Sequence, residues 1–283
     1  MNFIHGARAA LAAAVLAGGV LGTSVAPTLA DAANLQPTQT LFTCSCSTQA
    51  PDQAVDIPGT QLSFSGVVSP NASGIVEVFH FEYIENVLQS GYAATVPVTD
   101  GQFSSFSIAT NGDPGGWSVS TSAPLILGAG THWLIAVYLG NDGLAPSASP
   151  VFSQVISSQP VADPYLQPTQ TLFTSPSATQ APDEAVDRIG APLTFTGFVA
   201  PNASGTVIML DFEPDGASLH VGPVPVADGQ FSVSIPTSAG KGINWDVHGS
   251  SLGSGAHWLT AVYLGNEGLA PSSSPVFTEV LGS

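Results

Sequence analysis

The sequence contains the same unit twice, and this internal repeat is the feature that most restricts how the chain can fold. The segment Leu35–Thr43 recurs without change as Leu166–Thr174. Five shorter pairs follow in the same order: Pro70–Gly74 and Pro201–Gly205, Asp100–Ser104 and Asp228–Ser232, His132–Leu134 and His257–Leu259, Tyr138–Asn141 and Tyr263–Asn266, and Pro150–Phe152 and Pro275–Phe277. The distance in sequence between matching residues falls from 131 at Leu35 to 125 at His132. The two copies therefore differ in the lengths of the connections between the matching segments. A period this long exceeds that of solenoid repeats, and each copy is large enough to form its own core.

The limits of the repeat predict two domains behind a targeting segment. Residues 1–32 combine an early cation, Arg8, with an apolar run and a small-residue site at Ala30–Ala32, which is the pattern of a secretory signal peptide. We expect the first domain to span 35–158 and the second 166–283, joined by a proline-containing linker at 159–165. No later run reaches the roughly 18 apolar residues that a membrane span needs, so we expect a secreted or cell-surface location.

The charge of the chain excludes two classes of partner. Its 283 residues include only 3 Lys and Arg, against 20 Asp and Glu, for a net charge of -17. Proteins that bind nucleic acid or anionic lipid by charge need clustered cations, which this chain lacks. We therefore expect a protein or glycan ligand at a surface, and no nucleic acid.

Apolar residues alternate with polar ones along the sequence, which predicts β-strands. Leu193–Val199 places apolar residues or glycine at every second position, and Leu62–Val68 does the same in the first copy. Turn pairs such as Asp100–Gly101 separate these segments. The pattern predicts an all-β fold of two tandem antiparallel β-sandwiches. The segment 103–106 has one residue more than its counterpart 231–233, which predicts a β-bulge in the first copy only.

The strand before the last one carries the clearest resemblance to a known family. It reads GAHWLTAVYLG at Gly255–Gly265 and GTHWLIAVYLG at Gly130–Gly140, and a Pro-Ser turn follows at Pro271–Ser272. In these segments the chain resembles the bacterial immunoglobulin-like (Big) domains. The resemblance implies exported, non-catalytic units that act as spacers or adhesive modules on bacterial surfaces.

The same strand has an apolar stripe on its second face. If Leu134, Ala136 and Tyr138 face the core, the alternate residues face outward; these are Trp133, Ile135 and Val137 in the first copy and Trp258 and Val262 in the second. An outward apolar stripe with a tryptophan is typical of a ligand-binding surface, for protein or for a sugar ring. The alternative is that the long segment carrying Trp117 or Trp245 folds over the stripe and buries it.

One acidic segment has the spacing of calcium ligands. Asp211, Glu213 and Asp215 occupy alternate positions and could converge on one hard cation. Gly222 stands where the twelfth-position glutamate of such a loop would be, so an ordinary turn is the competing interpretation. Calcium is the one cofactor for which the sequence offers ligands.

The sequence provides no repeated catalytic set, and we expect that the protein is not an enzyme. Ser251 lies in a G-x-S-x-G segment at Gly249–Gly253, but no helix follows to form a nucleophile elbow. His132 and His257 match between copies, yet no further ligand keeps its spacing in both, so we expect structural histidines and no zinc. Cys44 and Cys46 would lie about 6.6 Å apart along an extended strand, where a bridge would be strained.

Overall fold

The protein is all-β in every part that the structure describes. The computed structural model describes residues 35–46, 48–50, 52–84, 87–114, 125–141, 143–159, 166–181, 184–212, 218–238, 251–266 and 268–282. Within these ranges all regular elements are strands. None of the described residues forms a helix that is long and apolar enough to cross a membrane. The predicted signal peptide at 1–32 lies outside the described residues, as does the predicted linker apart from Gln159.

The described residues form ten strands in each half of the chain, where the first half denotes residues 35–158 and the second half residues 166–283. Those of the first half are β1 (Gln39–Cys44), β2 (Thr48–Ala50), β3 (Gln53–Asp56), β4 (Gln61–Ser69), β5 (Gly74–Ile84), β6 (Val87–Thr99), β7 (Gln102–Pro114), β8 (Ile126–Tyr138), β9 (Ser147–Ala148) and β10 (Phe152–Ile156). Those of the second half are β11 (Gln170–Thr174), β12 (Ala178–Ala181), β13 (Glu184–Arg188), β14 (Leu193–Ala200), β15 (Gly205–Phe212), β16 (Ser218–Val226), β17 (Gln230–Ile235), β18 (Gly255–Tyr263), β19 (Ser272–Ser273) and β20 (Phe277–Gly282).

The second half consists of two sheets that share one core. The smaller sheet has the order β11-β14-β17, and the larger has the order β12-β13-β20-β18-β15-β16 with β19 beside β18. Neighbouring strands are antiparallel except β13 and β20, which are parallel. Phe195 and Phe231 from the smaller sheet pack in the same apolar cluster as Leu259 and Tyr263 from the larger one. The two sheets therefore bury their facing sides against each other.

The first half differs, because its strands form one continuous sheet. The order is β1-β4-β7-β6-β5-β8-β10-β3-β2, and an additional parallel pairing joins β7 to β8 at Ala109 and Ile126. The sheet thus closes on itself through β5, β6, β7 and β8. The expectation of two separate layers in each copy therefore needs correction for the first half. The layers are joined where β6 pairs with β7 and β7 with β8, contacts that the described second half makes only as the isolated bridges Ala227–Gln230 and Thr237–Leu252.

The bulge and turns predicted from sequence are confirmed. Phe64 pairs with Phe106 and Gly66 with Phe103. One residue separates the paired positions on β4 and two residues separate them on β7, so β7 contains one extra residue. The equivalent pairing of β14 with β17 runs without a shift. At the hairpin between β6 and β7, Asp100 and Gly101 both have positive φ, at 51° and 73°. Two consecutive left-handed residues match the twist of the adjoining strands, which is why Asp-Gly suits this position.

The two cysteines form a disulfide next to the first strand. Cys44 and Cys46 are bonded, with their Cα atoms 5.1 Å apart. This is shorter than the spacing expected for an extended strand, because β1 ends at Cys44 and the chain bends at the next residue. The spacing of about 6.6 Å along an extended strand therefore does not apply to this pair.

Candidate functional site

The apolar stripe faces away from the core of its own half, and the stripes of the two halves meet. Leu134, Ala136 and Tyr138 lie in the core of the first half. The alternate residues lie in a separate buried cluster, here called the interface cluster, which draws on both halves. Its buried members are Phe79, Phe81, Ile135, Val137, Val151, Ile208, Leu210, Phe212, Trp258, Val262 and Leu264. The stripe is thus covered within the chain by its own counterpart.

Direct contacts join the two halves at this cluster. The rings of Phe79 and Phe212 have centroids 5.2 Å apart. Beside them, the Ser273 hydroxyl donates a hydrogen bond of 2.7 Å to the Ser149 carbonyl. Ile135, Val137 and Val262 have no exposed surface. Each half therefore supplies the apolar surface that buries the other.

The structure separates the predicted binding residues into three groups. Ile135, Val137, Val262 and Trp258 are buried in the interface cluster. Trp133 is half-buried at its margin, perpendicular to the exposed Tyr83 with ring centroids 5.9 Å apart. Trp117 and Trp245 lie outside the described residues. Their predicted role in covering the stripe stays a prediction, as does ligand binding by the stripe.

One acidic side chain occurs at the interface. Glu77 is 9% exposed and pairs across the strands with Val137, so it lies on the same face as the interface cluster. Burial raises the pKa of Glu77 to about 7. Burial, with a smaller contribution from the Glu77 charge, also raises the pKa of Tyr92. The interface therefore contains a carboxyl group that titrates near neutral pH.

A second site lies inside the first half, where three polar side chains meet. Val76 and Val78 of β5 face the core, and the same side of the strand continues with His80 and Glu82. On β8, His132 precedes the core residue Leu134 by two positions, and the strand register places His132 opposite Glu82. Strand alternation and register thus bring two histidines and a carboxylate to one end of the core; we call His80, Glu82 and His132 the histidine cluster.

The histidine cluster is compact and buried. His80 Nε2 lies 2.9 Å from His132 Nδ1, which lies 3.2 Å from Glu82 Oε2. His132 Nε2 is 2.9 Å from the Gly128 carbonyl oxygen. The three residues are at most 3% exposed. Burial, together with the nearby His132, lowers the pKa of His80 to about 3, so His80 is neutral at neutral pH.

The second half has a related but different arrangement. Asp211 stands in the place of His80, and its Oδ2 lies 2.9 Å from His257 Nδ1. His257 Nε2 is 3.0 Å from the Gly253 carbonyl oxygen. Burial raises the pKa of Asp211, while its contacts with His257 and the Phe212 backbone oppose this shift. The result is a buried histidine–carboxyl pair joined by a direct hydrogen bond.

A further buried carboxyl group lies beside this pair. Glu279 is opposite His257 in the register of β18 and β20, and neither of its carboxyl oxygens has a hydrogen-bond partner among the described residues. Burial and the Asp187 charge raise the pKa of Glu279 to about 8, against the opposing effect of His257. The matching residue of the first half is Gln154, whose amide donates a 3.2 Å hydrogen bond to Asp56 Oδ2.

The structure describes one of the three predicted calcium ligands, Asp211, and the serine that we expect not to be catalytic, Ser251. Asp211 is turned into the core beside His257, whereas Glu213 and Asp215 lie outside the described residues. The Ser251 hydroxyl donates a 2.9 Å hydrogen bond to the Ser238 hydroxyl, and the preceding Gly249 and Ser250 are outside the described ranges. The prediction that Ser251 is not a nucleophile stays a prediction.

Sequence reasoning missed the histidine cluster because it required the same ligands in both copies. The signal that could have found it is the alternation of His80 and Glu82, which places both side chains on one face of a strand. The third member, His132, is 50 residues further along from Glu82, and only the strand register shows that the two are neighbours.

A cleft of about 460 Å³ lies where the halves join. Its first-half wall is formed by Asp52, Gln53, Pro150, Val151 and Ser153. Its second-half wall is formed by Leu166, Pro168, Thr169, Gln170, Ala270, Pro271, Ser272 and Ser273. Asp52 is the acidic residue of this lining, and burial raises the pKa of its carboxyl group. The cleft is a further consequence of the contact between the two halves.

Comparison with known proteins adds little. No protein-family model matches the chain, and no curated protein matches it. One similar solved structure is the crystal structure of a tetra-tandem repeat in the extending region of a large adhesion protein. The identity is 15%, the TM-score is 0.27, and the match covers 87% of this chain and 50% of that chain. This chain thus spans half the length of that structure.

Proposed function

We propose that the protein is an exported, non-catalytic pair of immunoglobulin-like units that acts as a spacer or adhesive module at a bacterial surface. The observation that carries this proposal is the interface cluster, in which the two copies bury matching apolar faces. Such packing holds the two units against each other, which suits a module that presents surfaces at a defined separation. The Big-domain resemblance of the Gly130–Gly140 and Gly255–Gly265 strands supports the same proposal.

The placement of the ionisable groups also supports a role without bond chemistry. His132 and His257 are the histidines at matching positions, and each is at most 1% exposed. A general base must come within hydrogen-bond reach of its substrate, which a side chain in a closed core does not do. The described polar clusters therefore suit a structural role.

The proposal is tested by locating the protein in its native host. We expect it in the medium or on the outer cell surface, where protease added to intact cells degrades it. Purified protein should also bind to the surface of host cells or to a target surface without hydrolysing ester substrates or reacting with a serine-directed probe. A cytoplasmic pool that added protease does not reach, or labelling of Ser251 by the probe, would contradict the proposal.

Glycan binding is a second candidate, favoured by one observation. Trp133 is half-buried and lies at right angles to the exposed Tyr83, which leaves aromatic surface available to a sugar ring. Trp258, its counterpart, is buried and serves as the comparison. A glycan array should then show binding that Trp133→Ala abolishes and Trp133→Phe retains in part. An array without any binding would remove this candidate.

A further inference from the structure

We propose that the histidine cluster is a binding site for one divalent ion of the zinc type, for which the described residues of the second half offer no equivalent group of three ligands. The proposal goes beyond the function proposed above and does not depend on it. It rests on the spacing of the ligand atoms, on the hydrogen bonding of His132, and on the burial of Glu82.

The spacing of the three ligand atoms suits a tetrahedral metal site. One nitrogen of each histidine and one oxygen of Glu82 all lie within 4.8 Å of one another. The two contacts that involve His132 Nδ1 are 2.9 and 3.2 Å. Zinc bonds of 2.0–2.2 Å at tetrahedral angles place ligand atoms about 3.4 Å apart. The two contacts of His132 Nδ1 are thus within about half an ångström of this spacing, and the atoms of His80 and Glu82 lie within 4.8 Å of each other.

The hydrogen bonding of His132 directs a lone pair into the cluster. Its Nε2 is 2.9 Å from the Gly128 carbonyl, which only accepts, so Nε2 carries a hydrogen. In the neutral ring the lone pair then lies on Nδ1, the atom that faces His80 and Glu82. A backbone carbonyl on the far nitrogen is a common way of fixing the tautomer of a metal-binding histidine.

Glu82 supplies the negative charge that makes a cation favourable at this position. It is 3% exposed, and its Oε1 has no hydrogen-bond partner among the described residues. A buried carboxylate is tolerated when it is paired or coordinates a metal. A metal ion bound between the three side chains would offset the charge of this buried carboxylate.

The donor set and its burial define the class of metal and its role. Two imidazole nitrogens favour zinc, copper, nickel or iron, whereas calcium and magnesium prefer oxygen ligands. Two histidines and one glutamate are a known set of zinc ligands. Because the cluster is enclosed in the core, the ion would stabilise the fold of the first half without access to a substrate.

The second half serves as an internal comparison. There Asp211 replaces His80, and Glu213, which matches Glu82 by position, lies outside the described residues. Within the described ranges, His80, Glu82 and His132 are the one group of three such ligands. We therefore expect one ion per chain.

The experiment is a zinc titration of the untagged, metal-free mature protein. Calorimetry, and metal analysis after gel filtration, should give one tightly retained zinc per chain, and zinc should raise the melting temperature by several degrees. Cobalt in place of zinc should give the intense visible absorption of a tetrahedral site. His80→Gln should abolish retention and the stability gain, whereas the matched Asp211→Asn in the second half should leave both unchanged.

Two results would overturn the proposal. One is that the wild-type protein retains no zinc above pH 7; the other is that His80→Gln retains as much zinc as the wild type, which would show adventitious binding elsewhere. Circular dichroism of the metal-free variants establishes whether they fold. If His80→Gln does not fold, Glu82→Gln, which keeps the size of the side chain, decides the question by the same two measurements.

Discussion

At the scale of single residues, the difference between Gln154 and Glu279 is the most informative. These residues occupy matching positions, but Gln154 donates a hydrogen bond to Asp56, whereas Glu279 lies near Asp187 without a hydrogen-bond partner among the described residues. A buried polar group without a partner costs about 1–3 kcal/mol. Gln154 leaves one such atom, Oε1, without a partner among the described residues, whereas Glu279 leaves both of its carboxyl oxygens without one, so the glutamate is the more destabilising side chain.

We predict that Glu279→Gln stabilises the protein at alkaline pH. The pKa of Glu279 is raised from 4.5 to about 8, so its favourable protonated form is present below pH 4.5 and is lost as the pH rises through 8. At pH 9 the substitution should raise the free energy of unfolding by about 1–3 kcal/mol. Urea unfolding at pH 5 and pH 9 measures this, and an equal effect at both values would contradict the explanation.

A second prediction concerns Gly197, which lies under the ring of Phe231. A β-carbon at Gly197 would collide with that ring and with the Leu172 carbonyl. Gly197→Ala should therefore lower the free energy of unfolding by about 1–3 kcal/mol, as overpacking does. Gly112→Ala is the matched control, because its nearest neighbour would be Pro58 at 3.7 Å, an ordinary contact. Equal denaturation midpoints for both variants would refute the prediction.

At the scale of elements, the bulge in β7 is the clearest difference between the copies. In β7 the three residues Phe103 to Ser105 lie opposite a stretch of β4 whose counterpart in β14 lies opposite only two residues of β17. Deleting Ser105 would give the first half the regular register of the second. We expect a folded protein whose free energy of unfolding changes by less than about 1 kcal/mol, because the pairs at Phe64 and Gly66 are retained. Chemical unfolding measures this, and a loss of cooperative unfolding would show that the bulge is needed.

Local rules predicted the elements well and the contacts between distant elements poorly. The alternation of Leu193–Val199, the Asp100–Gly101 turn and the bulge at 103–106 each depend on neighbouring residues, so the sequence predicted them. The closure of the sheet through β7 and β8 depends on a pairing that no local pattern reveals. The histidine cluster is likewise invisible until His132 is placed opposite Glu82.

The apolar stripe illustrates the same limit. Its orientation away from the core was predicted correctly, because strand alternation determines it. What covers it was not predicted, because the covering residues, such as Phe212 and Val262, belong to the other half. Repeated copies in one chain are themselves a reason to ask whether exposed faces pair with each other.

At the scale of the whole molecule, the interface between the halves should respond to pH. The pKa of Glu77 is raised from 4.5 to about 7 by burial, so its stabilising protonated form is complete below pH 4.5 and is lost as the pH rises through 7. We predict that stability falls across this range and that Glu77→Gln reduces the fall. Thermal unfolding between pH 4.5 and 8 is the measurement.

The second half offers a matched variant for this prediction. Ile208 occupies the position equivalent to Glu77 and is buried in the interface cluster. Glu77→Ile should therefore also reduce the pH dependence and should stabilise the protein at pH 8 by roughly 1–3 kcal/mol, because it removes a buried charge. If both variants keep the wild-type profile, the titration that governs stability lies elsewhere.

The pairing of two like faces has a consequence for any shortened version of this chain. Phe79 and Phe81 match Leu210 and Phe212 by position, so the two partners in the contact are near-duplicates. Contacts between equivalent surfaces are those that build symmetric homodimers. A lone copy would therefore be self-complementary, and joining two copies in one polypeptide replaces an assembly that would otherwise depend on concentration.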